Sequence, residues 1–203
     1  AQEMLSRMLE KGVEPNVLSY SALVDGYAVT GRVDEAAKWL TAASDAGVAP
    51  NVVTYSSVAK GYAAAGKLDD ARRVVREMQQ AGVRPSSVTF NAIIACCVRA
   101  NLPGDAAELL ASMRAAEVPI DVTCDNMVIG VLARAGRREE AETLLEQMQA
   151  DGVAPDTVTF SSLIVPSDSG QQSSQAAEWL SAMEQAGVNP DLVCFNKVIA
   201  SFG

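Results

Sequence analysis

The chain predicts an all-α solenoid of antiparallel helix-turn-helix repeats, and three observations carry that prediction. These are a fixed 35-residue period, two helical stretches inside each period, and a composition suited to close helix packing. Ala1, Ala36, Ala71, Ala106, Ala141 and Ala176 hold one phase of the period, and Leu5, Leu40, Val75, Leu110, Leu145 and Leu180 another. Met8, Met78, Met113, Met148 and Met183 hold a third, with Ala43 as its one departure. A period in this range marks stacked two-helix units, each contacting its neighbours, in place of a globule with one central core. Function then belongs on a surface that also repeats.

Each half of a unit follows from local chemistry, and residues 52 to 86 show it most clearly. Val53, Tyr55, Val58, Ala59 and Tyr62 recur at helical spacing until Gly66 breaks the helix. A second helix begins near Leu68 and Asp69, where a carboxylate suits the helix dipole, and runs through Ala71, Val74, Val75 and Met78. Gly82 can adopt the left-handed conformation that ends it, and Pro85 prevents continuation.

In order, residues 1–16 read as the second helix of a truncated unit. Full units follow at 17–51, 52–86, 87–121, 122–156 and 157–191, and 192–203 begin a sixth. The register reads as an excerpt of a longer array. Unit 87–121 has Asn101 to Gly104 where others carry a Gly turn, and Glu117 in place of the helix-ending Gly, which predicts looser helix ends. Unit 157–191 carries Pro166 inside its first helix, followed by a polar run from Ser167 to Gln175. That pattern predicts a helix stop near Val165 and a flexible loop.

Composition narrows the function classes. Hydrophobic residues at 49% and charged residues at 20% provide a continuous core and exclude a disordered chain. No apolar run approaches the roughly 20 residues that span a bilayer. The chain has no histidine, and Cys96, Cys97, Cys124 and Cys194 lack CxxC spacing, so neither a zinc site nor a histidine-based catalytic arrangement is expected. The cysteines read as small buried residues, and Trp39 and Trp179 as core anchors. Asp69, Asp70, Glu139 and Glu140 sit at second-helix starts, where the dipole accounts for them. No phosphate-binding loop occurs, and no cofactor or enzymatic activity is expected.

The segments VTYSS (53–57), GRVDEA (31–36), GKLDDA (66–71) and GRREEA (136–141), with the closings GVAPN (47–51), GVAPD (152–156) and GVNPD (187–191), resemble the pentatricopeptide repeat family over the whole chain. The resemblance implies a right-handed superhelix that binds single-stranded RNA at one base per repeat. It further implies work in a mitochondrion or chloroplast on transcript stabilisation, processing or translation within a ribonucleoprotein. The base-reading pairs it implies are Ser21 with Asn51, Ser56 with Ser86, Asn91 with Asp121, Asn126 with Asp156, and Ser161 with Asp191, followed by Asn196. Leu18, Val53, Val88, Thr123, Val158 and Val193 would sandwich the bases, and Arg99 and Arg134 would meet phosphates. By the family's rules the tract is A, an unassigned base, U, U, G.

The same residues have a second explanation. Asn or Asp after a Pro suits a helix N-cap, so Asn16, Asn51, Asp121, Asp156 and Asp191 would be expected in a repeat that binds nothing. The net charge of -9 is opposite to the usual footprint of a nucleic-acid binder. Most of the acid falls on second helices and turns, while the first helices balance Lys60, Arg99, Arg134 and Lys197 against Asp25, Asp125 and Asp168. Asp125 also replaces the aromatic residue found at its register elsewhere. Five bases at about 1 to 1.5 kcal/mol each would give micromolar or weaker affinity. A scaffold subunit of a large organellar assembly, such as a ribosome or transcription complex, therefore stands beside the RNA reading.

Overall fold

The computed structural model describes residues 2–165 and 170–202, and all regular structure among them is helical. Two compact units divide the chain, Ala1–Cys96 and Cys97–Gly203.

The first unit contains α1 (Gln2–Glu10), α2 (Val17–Val29), α3 (Val33–Asp45), α4 (Val52–Ala64), α5 (Leu68–Gln80) and most of α6 (Ser87–Arg99). Helix α2 packs on α3 and α4, and α4 packs on α5 and α3. The second unit contains α7 (Pro103–Ala115), α8 (Val122–Arg134), α9 (Arg138–Ala150), α10 (Thr157–Leu163), α11 (Gly170–Gln185) and α12 (Leu192–Ala200). There α8 packs on α7, α9 and α10, and α11 packs on α10 and α12. The fold is all-α and built of helix pairs joined by tight turns.

The phases of the sequence period turn inward. Ala36, Ala71, Ala106 and Ala141 are fully buried, because only a methyl group fits where helices approach this closely. Met78, Met113, Met148 and Met183 fill the wider gaps, each contributing on the order of 1.5–3 kcal/mol of burial. At the start of the chain Leu5, Tyr20, Leu23 and Ala43 form a cluster on which Tyr27 and Trp39 pack. All four cysteines are buried and unbridged, and burial pushes the Cys124 thiol up to about 12.

Two expectations need correction. The helix ends of unit 87–121 are closed like the others. At Gly31 the helix stops with bonds from Gly31 N to Ala28 O and Arg32 N to Tyr27 O, and Asn101 and Leu102 repeat that pattern onto Val98 and Cys97. Glu117 and Val118 do the same onto Arg114 and Met113. Asn101 and Glu117 adopt φ of 54° and 51°, the conformation glycine takes elsewhere. Asn tolerates this readily, whereas Glu117 holds it under strain.

The first helix of unit 157–191 stops near Val165 as expected, ending at Leu163 with Ile164 turned extended at ψ 93°. A proline at 166 disfavours helix in the residue before it.

The predicted flexible loop is the second correction. Ser167, Asp168 and Ser169 lie outside the described residues, but Gly170 to Gln175 form the start of the 16-residue helix α11. Gln is a good helix former, and the turns that follow anchor the helix through buried Ala176 and Met183.

Candidate nucleic-acid interface

The N-terminus of each first helix gathers the candidate residues. Asn16, Asn51, Asp121, Asp156 and Asp191 are the N-caps of α2, α4, α8, α10 and α12, each accepting backbone N–H bonds from the first turn. Ser86 stands before α6 and accepts from Thr89 N at 3.4 Å. The capping explanation therefore holds for these side chains, but it leaves atoms over. Asn51 Oδ1 accepts from Val53 N, Thr54 N and Thr54 Oγ1, which leaves both amide protons of Asn51 available.

The second residue of every first helix is exposed. Leu18 is 70% exposed, Val53 58%, Val88 58%, Val158 57% and Val193 52%, and Thr123 is exposed in the same register. Aliphatic side chains held in solvent at one repeating position have no part in the core.

Within the first unit, two reading pairs are joined through a threonine. Ser21 Oγ lies 2.7 Å from Thr54 Oγ1, which donates to Asn51 Oδ1 at 3.0 Å. Ser56 Oγ lies 2.7 Å from Thr89 Oγ1, which is 3.0 Å from Ser86 Oγ. Asn91 is half-buried on α6, with its Oδ1 shielded from solvent and unbonded.

In the second unit Asp121 is exposed and accepts from Cys124 N at 2.8 Å. Asn126 is joined directly to its partner, Nδ2 donating to Asp156 Oδ1 at 3.0 Å, and its own Oδ1 is buried without a bond. Burial opposes ionisation of Asp156, but the bonds from Thr159 and Asn126 outweigh it and hold the carboxyl below its usual range. Cys194 stands where other units have Thr54, Thr89 and Thr159, and its backbone N–H donates to Asp191 Oδ1 at 2.9 Å. Burial pushes its thiol up. Asn196 is exposed on α12.

Arg99 and Arg134 close α6 and α8, and both are exposed. Lys197 on α12 donates from its ammonium to the Ser161 carbonyl, and burial pushes its pKa down.

Two sets of residues went unrecognised in the sequence. The threonines of the V-T motif link reading residues to caps, and their recurrence three places after each cap is the signal that could have marked them. The other is Arg114. Asp125, fully buried, pairs with Arg114 at 2.8 Å, and Arg114 also reaches Asp151 at 2.8 Å. Arg114 lies in repeat 87–121 and Asp125 and Asp151 in repeat 122–156, and the other repeats carry different residues at these registers, so no repeat pattern announces them.

Family models cover most of the chain. A pentatricopeptide repeat domain matches residues 38–100, a PPR repeat family model matches 120–165, and single PPR repeats match 11–40 and 88–118. No curated protein sequence matches the chain. Among solved structures, the maize pentatricopeptide repeat protein PPR10 is 28% identical over 98% of this chain, with a TM-score of 0.68. The same protein in complex with an 18-nt psaJ RNA element is 26% identical over 98% of the chain, with a TM-score of 0.63. This chain spans 28% of the length of either PPR10 structure. The PPR domain of Arabidopsis thaliana protein-only RNase P 1, in complex with tRNA, shares the fold at 16% identity and a TM-score of 0.68, over 91% of this chain and 99% of that one. With its repeating helix pairs and these matches together, the chain belongs to the pentatricopeptide repeat family.

Proposed function

We propose that this chain binds single-stranded RNA, with about one base per repeat. The observation that carries the reading is the row of exposed aliphatic residues Leu18, Val53, Val88, Val158 and Val193, each beside a cap and a polar first-helix residue. An exposed aliphatic side chain next to hydrogen-bonding groups can cover a base face while those groups meet its edge. The RNA bound by PPR10 in its solved complex supports the same reading.

The implied tract is A, N, U, U, G, running with the chain. The pair Ser21 and Asn51 places an acceptor beside amide donors for adenine. Asn126, with one amide proton committed to Asp156, keeps its second amide proton as a donor for a uracil carbonyl. Asn91 with Asp121 and Ser161 with Asp191 are assigned by family resemblance, as are phosphate contacts by Arg99 and Arg134. The chain recognises and protects or positions a transcript and does not catalyse. We assign that work to a mitochondrion or chloroplast, a reading that the family resemblance supports.

The net charge of -9 favours a second reading, a scaffold subunit of a large organellar assembly with little coded RNA binding. Fluorescence anisotropy with RNA bearing ANUUG, a scrambled tract and the matching DNA, across a salt series, separates the two. Preference for ANUUG that moves toward guanine when Asn126→Ser is introduced supports RNA reading. Equal and strongly salt-dependent binding to all three oligonucleotides favours the scaffold.

A further inference from the structure

Each hydroxyl carries one proton, so counting protons shows which atoms are left to face a base. In unit 52–86 three hydroxyls and a carbonyl lie in a row. Ser86 Oγ is 3.0 Å from Thr89 Oγ1, Thr89 Oγ1 is 2.7 Å from Ser56 Oγ, and Ser56 Oγ is 2.6 Å from the Val52 carbonyl oxygen. The carbonyl has no proton, so Ser56 donates to it. The proton between Ser56 and Thr89 must then come from Thr89, and the one between Thr89 and Ser86 from Ser86. All three are committed inside the protein, and Ser56 and Ser86 are left with lone pairs alone. Thr89 is fully buried and Ser56 is 8% exposed, which shields the middle of the row from water.

Unit 17–51 runs the other way. Asn51 Oδ1 is identified as oxygen by the two backbone amides that donate to it, and Thr54 Oγ1 also donates to it at 3.0 Å. Thr54 has no second proton, so Ser21 donates to Thr54 across 2.7 Å. Ser21 presents an acceptor, and the amide of Asn51 presents donors beside it. The direction of the relay follows from what each end can accept.

We propose that Thr89 is a specificity-determining positioning residue, which makes the Ser56 and Ser86 pair an acceptor-only reader selective for guanine. Guanine alone carries two adjacent donors, N1–H and the 2-amino group, on its pairing edge. Adenine, cytosine and uracil each place an acceptor beside a donor, and that acceptor would meet a lone pair with nothing to donate. This inference rests on the RNA-binding reading of the chain.

The test uses the full chain and four RNAs of the form ANUUG that differ at the second base, read by fluorescence anisotropy. Wild type should favour guanine at that base by about threefold or more. Thr89→Val removes the middle hydroxyl at nearly constant volume and frees the Ser86 proton, so preference should move toward adenine, which offers N1 as an acceptor beside its amino group. Thr89→Ser keeps the hydroxyl and should keep guanine. Circular dichroism checks that each variant folds, since a purely structural role for Thr89 would alter affinity without changing the base preferred. A wild-type preference for another base overturns the proposal whatever the variants do, and so does unchanged guanine preference in folded Thr89→Val. If wild type does not distinguish ANUUG RNAs from a scrambled tract, the RNA reading itself has failed.

Discussion

Asn126 donates from its amide to Asp156 Oδ1 at 3.0 Å, so a residue inside α8 is tied to the cap of α10. The same oxygen accepts from Thr159 N at 2.9 Å and Thr159 Oγ1 at 3.0 Å, while Asp156 N donates back to Thr159 Oγ1 at 2.9 Å. One carboxylate thus closes a capping box and orients a candidate base reader, and neither role excludes the other.

Asp156→Ala should lower stability by about 1 to 2 kcal/mol, through loss of the cap and an unpaired Asn126 amide. Urea denaturation measures it. The folded Asp156 pKa lies below the ordinary 3.8, so its contribution is present above that value and lost as pH falls through the folded pKa. The gap between wild type and Asp156→Asn should therefore shrink only in strong acid. A gap that closes already near neutral pH would assign the effect to another group.

The pair Arg114 and Asp125 carries the opposite sign. Burial raises the Asp125 pKa above 3.8 even though Arg114 opposes the shift, and Oδ2 is buried without a partner. The neutral form is favoured, so the stability linked to this group is full below pH 3.8 and declines as pH rises through the folded value. Compared with Asp125→Asn, wild type should lose stability over that rise. Matched denaturation curves on either side of the window test this.

The other units also suggest a replacement. The register of Asp125 holds Tyr20, Tyr55, Phe90, Phe160 and Phe195 elsewhere, and that of Arg114 holds Ser44, Gln79, Gln149 and Glu184. The double variant Asp125→Phe, Arg114→Gln should be neutral or more stable by up to about 4 kcal/mol, because a buried ion pair is commonly weaker than good apolar packing. A shift in the thermal midpoint gives the answer, and marked destabilisation would mean that the pocket is shaped around the ion pair.

The helical fold was legible because its determinants are local and repeated. Ala36 and Ala71 mark the close helix contacts, Gly66 and Gly82 the turns, and each recurs often enough for the period to average out departures. Those departures were harder. Asn101 and Glu117 were read as weak points, yet backbone hydrogen bonding forces them into the glycine conformation. The polar residues Gly170 to Gln175 were read as loop, although helix propensity and the anchored turns beyond them decide their state. At the candidate site, the reading pairs came from motif register. For Thr54 and Thr89, spacing marks the position three places after each cap, but the direction in which they pass a proton is not encoded there. Arg114 was missed because ion pairing with Asp125 depends on contact between helices.

Glu117 offers a gain in stability. Its φ of 51° costs a residue with a Cβ roughly 1 kcal/mol or more, and glycine fills the same register in Gly12, Gly47, Gly82, Gly152 and Gly187. Glu117→Gly should raise stability by up to about 1 kcal/mol, partly offset by the greater entropy of glycine in the unfolded chain. An increase in the urea midpoint with unchanged slope is the expected result, and a decrease would show that the Glu117 side chain makes a compensating contact.

Gly61 should respond in the opposite way, since its constraint is steric. It lies on α4 with ordinary helical φ, but a Cβ there would come within 2.8 Å of Val33 Cγ2 and 3.4 Å of the Ala28 methyl. Val33 is 3% exposed and β-branched, so it can turn away only by disturbing the contact between α3 and α4. Gly61→Ala gains helix propensity of about 1 kcal/mol, yet overpacking of this kind costs about 1–3 kcal/mol. The net should be destabilisation, and adding Val33→Ala should recover part of it by removing the clash. A double-mutant cycle on thermal or urea unfolding isolates that coupling, and additive effects would show that Val33 is not what keeps residue 61 a glycine.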